Sequence, residues 1–162
     1  MKIVDGNRIT LLKNGGEFFP ALIAAIEGAT RDIRIETYIF RDDATGDKIA
    51  DALMSAARRG VKVRLMIDGV GSRDTPDGFF QRMQDAGVKV LVFRPDKRAF
   101  HFSKARLRRN HRKIALVDER VGFVGGINLI DDLNELKVTV YCFWALHQRE
   151  GEYRYLRLID LQ

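Results

Sequence analysis

Apolar positions along the chain change period several times, and each change marks an element. From Asp32 to Phe40, Ile33, Ile35, Thr37 and Ile39 alternate with Arg34, Glu36, Tyr38 and Phe40, the two-residue period of a strand. Ile49, Ala50, Leu53, Met54 and Ala57 then fall at helical spacing, and Gly60 after Arg58 and Arg59 stops that helix. Val61 to Ile67 reads as the next strand, Pro76 to Ala86 as a helix closed by Gly87, and VKVLVF from Val88 as a further strand. The tetrapeptide GVKV therefore occurs at both Gly60 and Gly87, each time between a helix and a strand. An earlier helix spans about Gly16 to Ala29, with Pro20 in its first turns. Strands separated by helices require parallel crossovers. The order β-α-β-α-β-α-β, then a basic loop and a hairpin, predicts an α/β sandwich whose mainly parallel or mixed sheet is flanked by helices.

The 162 residues, 46% of them apolar, suffice for the core of one ordinary domain. A formal charge of +6 favours polyanionic partners, nucleic acid or an anionic membrane surface. Cys142 is the only cysteine, which excludes an intrachain disulfide and a cysteine-based metal cage. No carboxylates or histidines cluster at metal-ligand spacing, so neither a metal nor another cofactor is expected. The opening MKIVDGNRIT lacks the apolar stretch of a secretory signal, and no run approaches the roughly 18 apolar residues of a membrane span. Any membrane contact is therefore expected to be peripheral, with the protein in the cytoplasm or on the inner membrane face.

Charge is concentrated from Arg94 to Lys113, where nine Lys or Arg residues face a single acid, Asp96, with Phe100 and Phe102 interleaved. A solvated loop and an electrostatic funnel for a phosphate-bearing substrate both fit that composition, with Arg106, Arg108 and Arg109 as the steering charges in the second reading. The run leads directly into RNHRKIALVDERVGFVGGIN. On a strand starting near Asn110, His111, Lys113, Ala115 and Val117 share one face, opposite Arg112, Ile114, Leu116 and Asp118. His111 and Lys113 then enter the same space. An imidazole can attack phosphorus while the neighbouring ammonium neutralises charge on the non-bridging oxygens, which suits phosphodiester chemistry. Asp118 has the wrong parity to reach that phosphate and stands where the chain turns, so a turn hydrogen bond or the orientation of neighbours is its expected duty. Gly125 and Gly126 leave backbone amides bare beside Asn128, available to phosphate. Glu36 and Asp68 lie at strand ends, as polar termini or as lining of the site.

The spacing of His111, Lys113, Asp118, Gly125 and Asn128 arises by chance in a chain this long on the order of once in ten thousand sequences. It resembles the H-x-K-x4-D-x6-G-S-x-N signature of the phospholipase D superfamily, with Gly126 where serine is usual. IETYIF at Ile35–Phe40, RGVKVRLMIDGVGS at Arg59–Ser72, RNHRKI at Arg109–Ile114 and the GGIN variant are similar to bacterial cardiolipin synthases within it. The resemblance covers roughly Gly6 to Asn134. It implies that His111 is nucleophile or leaving-group acid, that Lys113 and Asn128 bind phosphate with Gly125 and Gly126 beside them, and that Asp118 is an accessory motif residue grouped with the catalytic pair. It further implies phosphatidyl transfer through a phosphohistidine intermediate on anionic phospholipid.

Two such motifs face each other across one site in that superfamily, and this sequence holds one. His101 is followed by Phe-Ser-Lys and His147 by Gln-Arg-Glu, so neither begins a second. Either two chains pair as a homodimer, or the chain is the N-terminal half of an enzyme with a second lobe. The corresponding alternatives are a homodimeric phosphodiesterase or endonuclease acting on nucleic acid, and an inactive half-domain that binds phosphate or lipid. Residues 1–134 are expected to form the single domain. Residues 135–162 do not resemble the family's continuation and read as a truncated or frameshifted tail, or as a lineage-specific strand and helix. In that tail Tyr141, Phe143 and Trp144 suit core or dimer packing, or a membrane wedge.

Overall fold

The computed structural model describes residues 8–95 and 109–131 in full and residues 138–143 as backbone. Its elements are β1 (Arg8–Lys13), α1 (Asn14–Glu27), β2 (Asp32–Thr37), α2 (Ala44–Arg58), β3 (Lys62–Asp68), α3 (Asp77–Asp85), β4 (Lys89–Phe93), β5 (Ile114–Val117), β6 (Val121–Gly125) and β7 (Val138–Phe143). The strands form one mixed sheet in the order β1-β7-β6-β5-β2-β3-β4. Strands β2, β3 and β4 are parallel, joined by α2 and α3, and every pairing from β2 through β5, β6 and β7 to β1 is antiparallel.

Both GVKV copies work in the same way. Gly60 (φ +90°) and Gly87 (φ +97°) take left-handed conformations that end a helix and release the chain into β3 or β4. Helix α2 begins at Ala44, earlier than the apolar period suggests, because Asp43 caps it by accepting the N–H groups of Thr45 and Gly46 at 3.1 and 2.8 Å. Strand β2 stops at Thr37, although the alternation runs to Phe40. Asn128 Oδ1 accepts the Ile39 N–H at 3.2 Å and the Thr37 hydroxyl donates to the Ile39 carbonyl, which draws the chain out of the ladder. Phe40 then makes a single parallel bridge to Leu129.

Alternation along β2, β3 and β5 buries Ile33, Ile35, Val63, Leu65, Ile67, Ala115 and Val117 on one face, where α1, α2 and α3 pack beside one another. Phe18, Leu22, Ile26, Leu53, Met83 and Phe123 fill the space between these layers. Cross-strand register puts two rows on the opposite face, one running Ile9, Gly122, Leu116, Arg34, Arg64, Lys89 and the other Leu11, Val124, Ile114, Glu36, Met66, Leu91. Among the described residues no helix covers that face, and Ile9, Leu11, Leu91 and Leu116 are exposed there. Strand β7 lies inside the sheet between β1 and β6, so the sheet continues past residue 134 through part of the segment read from sequence as a tail.

Candidate active site

Ligand sites in open α/β sheets gather at the carboxyl ends of parallel strands. Here the end of β2 meets the start of β5, because the antiparallel register sets Glu36 against Ile114. Just beyond both ends lie Tyr38 and the segment Asn110–Lys113. The Tyr38 and His111 rings stand 4.9 Å apart between centroids, tilted by 53°. Lys113 Nζ lies 5.3 Å from the Tyr38 ring centroid and donates to the His111 carbonyl at 3.1 Å. His111 is exposed and Lys113 half-buried. The structure thus brings imidazole and ammonium together, as their spacing suggested, but outside a strand: β5 begins at Ile114 rather than near Asn110.

A buried carboxylate anchors this segment. Asp68, at the end of β3, accepts the Asn110 N–H at 2.7 Å on one oxygen and the Val70 and Gly71 N–H groups at 2.9 and 3.1 Å on the other. The Asn110 side chain donates to Glu36 at 3.2 Å, and Arg112 reaches the same Glu36 oxygen at 3.3 Å. Gly71 passes so close beneath Tyr38 that a Cβ would overlap the Tyr38 carbonyl oxygen and come within 2.9 Å of ring atom Cδ2. Only glycine fits there.

Several expected site residues have other work. The N–H of Gly125 donates to the Lys113 carbonyl at 3.2 Å, extending the β5–β6 ladder by one residue, so that amide is not available to a phosphate. Gly126 is exposed, with open space where a side chain would project. Asn128 turns its oxygen to the Ile39 N–H, and the NH2 end of its carboxamide is its remaining polar group. Asp118 lies at the far end of β5 and accepts four hydrogen bonds: Thr30 N–H at 2.8 Å, Thr30 hydroxyl at 3.0 Å, Arg31 N–H at 2.7 Å and Asp32 N–H at 2.9 Å. Its carboxylate thus serves this turn, at the end of β5 opposite His111 and Lys113. Partial burial raises its carboxyl pKa, but the hydrogen bonds from Thr30, Asp32 and Arg31 outweigh that and hold it below the usual 3.8. These bonds also secure a turn in which Asp118 and Glu119 both take left-handed φ, +53° and +57°.

Arg109 is exposed immediately before Asn110. Arg106, Arg108, Phe100, Phe102, His101, His147 and Trp144 lie outside the described residues, as do the side chains of Tyr141 and Phe143. Among the described residues no three His, Cys, Asp or Glu side chains gather as a cation site, and no helix is long and apolar enough to cross a membrane. Sequence reasoning missed Tyr38 and Asn110 and left Asp68 between two roles. The available signal for Tyr38 was its place just past the first parallel strand.

Comparison with known proteins adds an independent line. The family model described as "Cardiolipin synthase, PLD-like domain" matches residues 22–143. Cardiolipin synthase B of Salmonella typhimurium is 44% identical over 124 residues, and that of Escherichia coli K12 is 41% identical over 124 residues, in each case 76% of this chain and 30% of the relative. Cardiolipin synthase 1 of Bacillus cereus is 40% identical over 128 residues, 79% of this chain and 25% of the relative. The chain thus spans about a third or less of the length of these relatives. Among solved structures, NucT from Helicobacter pylori matches with a TM-score of 0.66 and 22% identity, covering 85% of this chain and 86% of that one. A phospholipase D family member, Nuc from Salmonella typhimurium, matches with a TM-score of 0.63 and 21% identity over 85% and 84% of the two chains. At such identity these two speak for the shared fold.

Proposed function

Because this chain belongs to the family of cardiolipin synthase, phospholipase D-like domains, we propose that it supplies one half of a phosphatidyltransferase site that acts on anionic phospholipid through a phosphohistidine. The observation that carries this reading is the convergence of His111 and Lys113 on the Tyr38 ring at the end of β2. An imidazole nitrogen of His111 attacks the phosphodiester phosphorus, and the N–P bond forms as the P–O bond to the leaving alcohol breaks. Lys113 and the Asn128 carboxamide offset charge on the non-bridging oxygens. A second imidazole protonates the leaving alcohol. It then takes the proton of the acceptor alcohol, whose oxygen attacks phosphorus and frees His111. That second imidazole comes from another copy of the chain or from the second lobe of a longer enzyme. With phosphatidylglycerol as donor and acceptor, the products are cardiolipin and glycerol, made at the inner face of a membrane on which the protein sits peripherally.

The basic stretch from Arg94 to Lys113 favours a second reading, in which the same residues hydrolyse a nucleic-acid phosphodiester with water as acceptor. One experiment separates the two. The chain is incubated with phosphatidylglycerol vesicles and, in parallel, with supercoiled plasmid. We expect cardiolipin from the intact chain and none from His111→Asn. Plasmid nicking that depends on His111, with no cardiolipin formed, would replace the lipid reading by the nuclease one. Absence of both activities in a chain shown to be dimeric in solution would leave the half-domain as a phosphate-binding module.

A further inference from the structure

We propose that Tyr38 is a positioning residue, whose ring is the common wall that holds the His111 imidazole and the Lys113 ammonium in register for one phosphate. This rests on the phosphate-transfer reading above. The imidazole packs against the ring at 4.9 Å, and Lys113 Nζ at 5.3 Å lies within the range, roughly 6 Å, in which a ring face attracts a cation. Nζ is also hydrogen-bonded to the His111 carbonyl, so the ammonium is held between the ring and the backbone that carries the nucleophile. A lysine head on four rotatable bonds needs such a fixture if its charge is to meet the phosphate that His111 attacks.

The wall itself is immobilised. Ser72 Oγ donates to the Tyr38 carbonyl at 3.3 Å and accepts the Phe40 N–H at 3.1 Å, while the intervening Ile39 N–H is held by Asn128. The absent side chain at Gly71 makes the seat. Asp68 accepts the Gly71 and Asn110 amides together, so the seat of the wall and the segment leading to His111 share one anchor. The contacts to His111 and Lys113 are contacts of the ring, at 4.9 and 5.3 Å from its centroid.

The test titrates isotopically labelled intact chain with inorganic phosphate and follows the His111 imidazole by NMR, with thermal midpoints measured alongside. Tyr38→Phe should bind phosphate within about twofold of the parent. Tyr38→Leu should weaken binding about tenfold with an unchanged thermal midpoint, the difference that loss of one cation–ring contact accounts for. In phosphate-free buffer Tyr38→Leu should also move the His111 ring-proton resonances, which Tyr38→Phe leaves in place. Should Tyr38→Leu fail to fold, Tyr38→Met, which fills similar volume without a π face, is held to the same expectation. Unchanged affinity and unmoved His111 resonances in the non-aromatic variant would overturn the proposal. So would a Tyr38→Phe protein as weak as Tyr38→Leu, because the hydroxyl would then be the working group. If the intact chain bound no phosphate at His111, the proposed function would fall, and the ring-proton resonances alone would decide whether Tyr38 sets the imidazole.

Discussion

Asp68 and Asn110, 42 residues apart, are joined by a buried hydrogen bond of 2.7 Å from the Asn110 amide to the Asp68 carboxylate. The end of one parallel strand thereby sets the position of the segment that presents His111. Asp68→Ala leaves three amide donors without their acceptor and should cost about 2–4 kcal/mol, read as a lowered urea midpoint with unchanged slope. Phosphate binding should weaken more than the loss of stability alone explains.

His111 is exposed and Lys113 half-buried, so replacing either is expected to leave the fold intact. His111→Asn and Lys113→Ala should each lose more than about a thousandfold in phosphodiester turnover while retaining the parent circular dichroism and thermal midpoint. Rapid quenching of the intact chain with phosphatidylglycerol should trap the phosphatidyl group on His111 through an acid-labile N–P bond, visible by mass spectrometry. Turnover within tenfold of the parent in His111→Asn would place the nucleophile elsewhere.

If two imidazoles act at each site, mixing His111→Asn chains with intact chains should inhibit. With subunit exchange demonstrated, activity should fall below the fraction of intact chain. Strict proportionality would show that each chain works alone.

Asp118 gives a stability effect with a defined pH dependence. Its carboxyl pKa is lower folded than unfolded, so its stabilisation is complete above the usual 3.8 and is lost as pH falls through the lower folded value. Asp118→Ala should therefore be less stable than the parent at pH 7, by about 1–2 kcal/mol for its partly exposed hydrogen bonds, and the gap should narrow below about pH 4. A gap that stayed constant down to pH 2.5 would contradict the assignment.

Gly126 and Gly71 should respond oppositely to a small side chain. Gly126→Ser enters open space and should leave stability within about 0.5 kcal/mol of the parent and turnover within a few fold, whereas Gly71→Ala collides with Tyr38 and should destabilise and weaken phosphate binding.

The sequence carried the His111–Lys113 convergence because a two-residue spacing keeps side chains on one side even where the backbone falls short of a strand. It also carried the parallel units, since GVKV at Gly60 and Gly87 encodes a helix stop and a strand start together. Tyr38 was not legible, because alternation assigns it to a strand that Asn128, far along the chain, pulls out of the ladder. The pairing of the Gly125 amide was not legible for a related reason: which strand amides are spent in pairing depends on register with Lys113, and composition says nothing about register. Asp118 was half legible. Its parity pointed away from the phosphate, but its partner Thr30 lies 88 residues upstream, beyond any local pattern.

Among the described residues strand β1 pairs only with β7, Arg8 against Phe143, so residues 14–137 lie between them. Residues 8–13 leave the ribosome well before their hydrogen-bonding partner, residues 138–143, is made. The parallel unit β2–β3–β4 can assemble during synthesis, but the ladder of β1 must wait until residue 143 has emerged, and closing so long a loop makes this the slow event of folding. Until then the exposed apolar residues Ile9 and Leu11 sit on an unpaired strand, which exposes the nascent protein to misassociation until β7 is made.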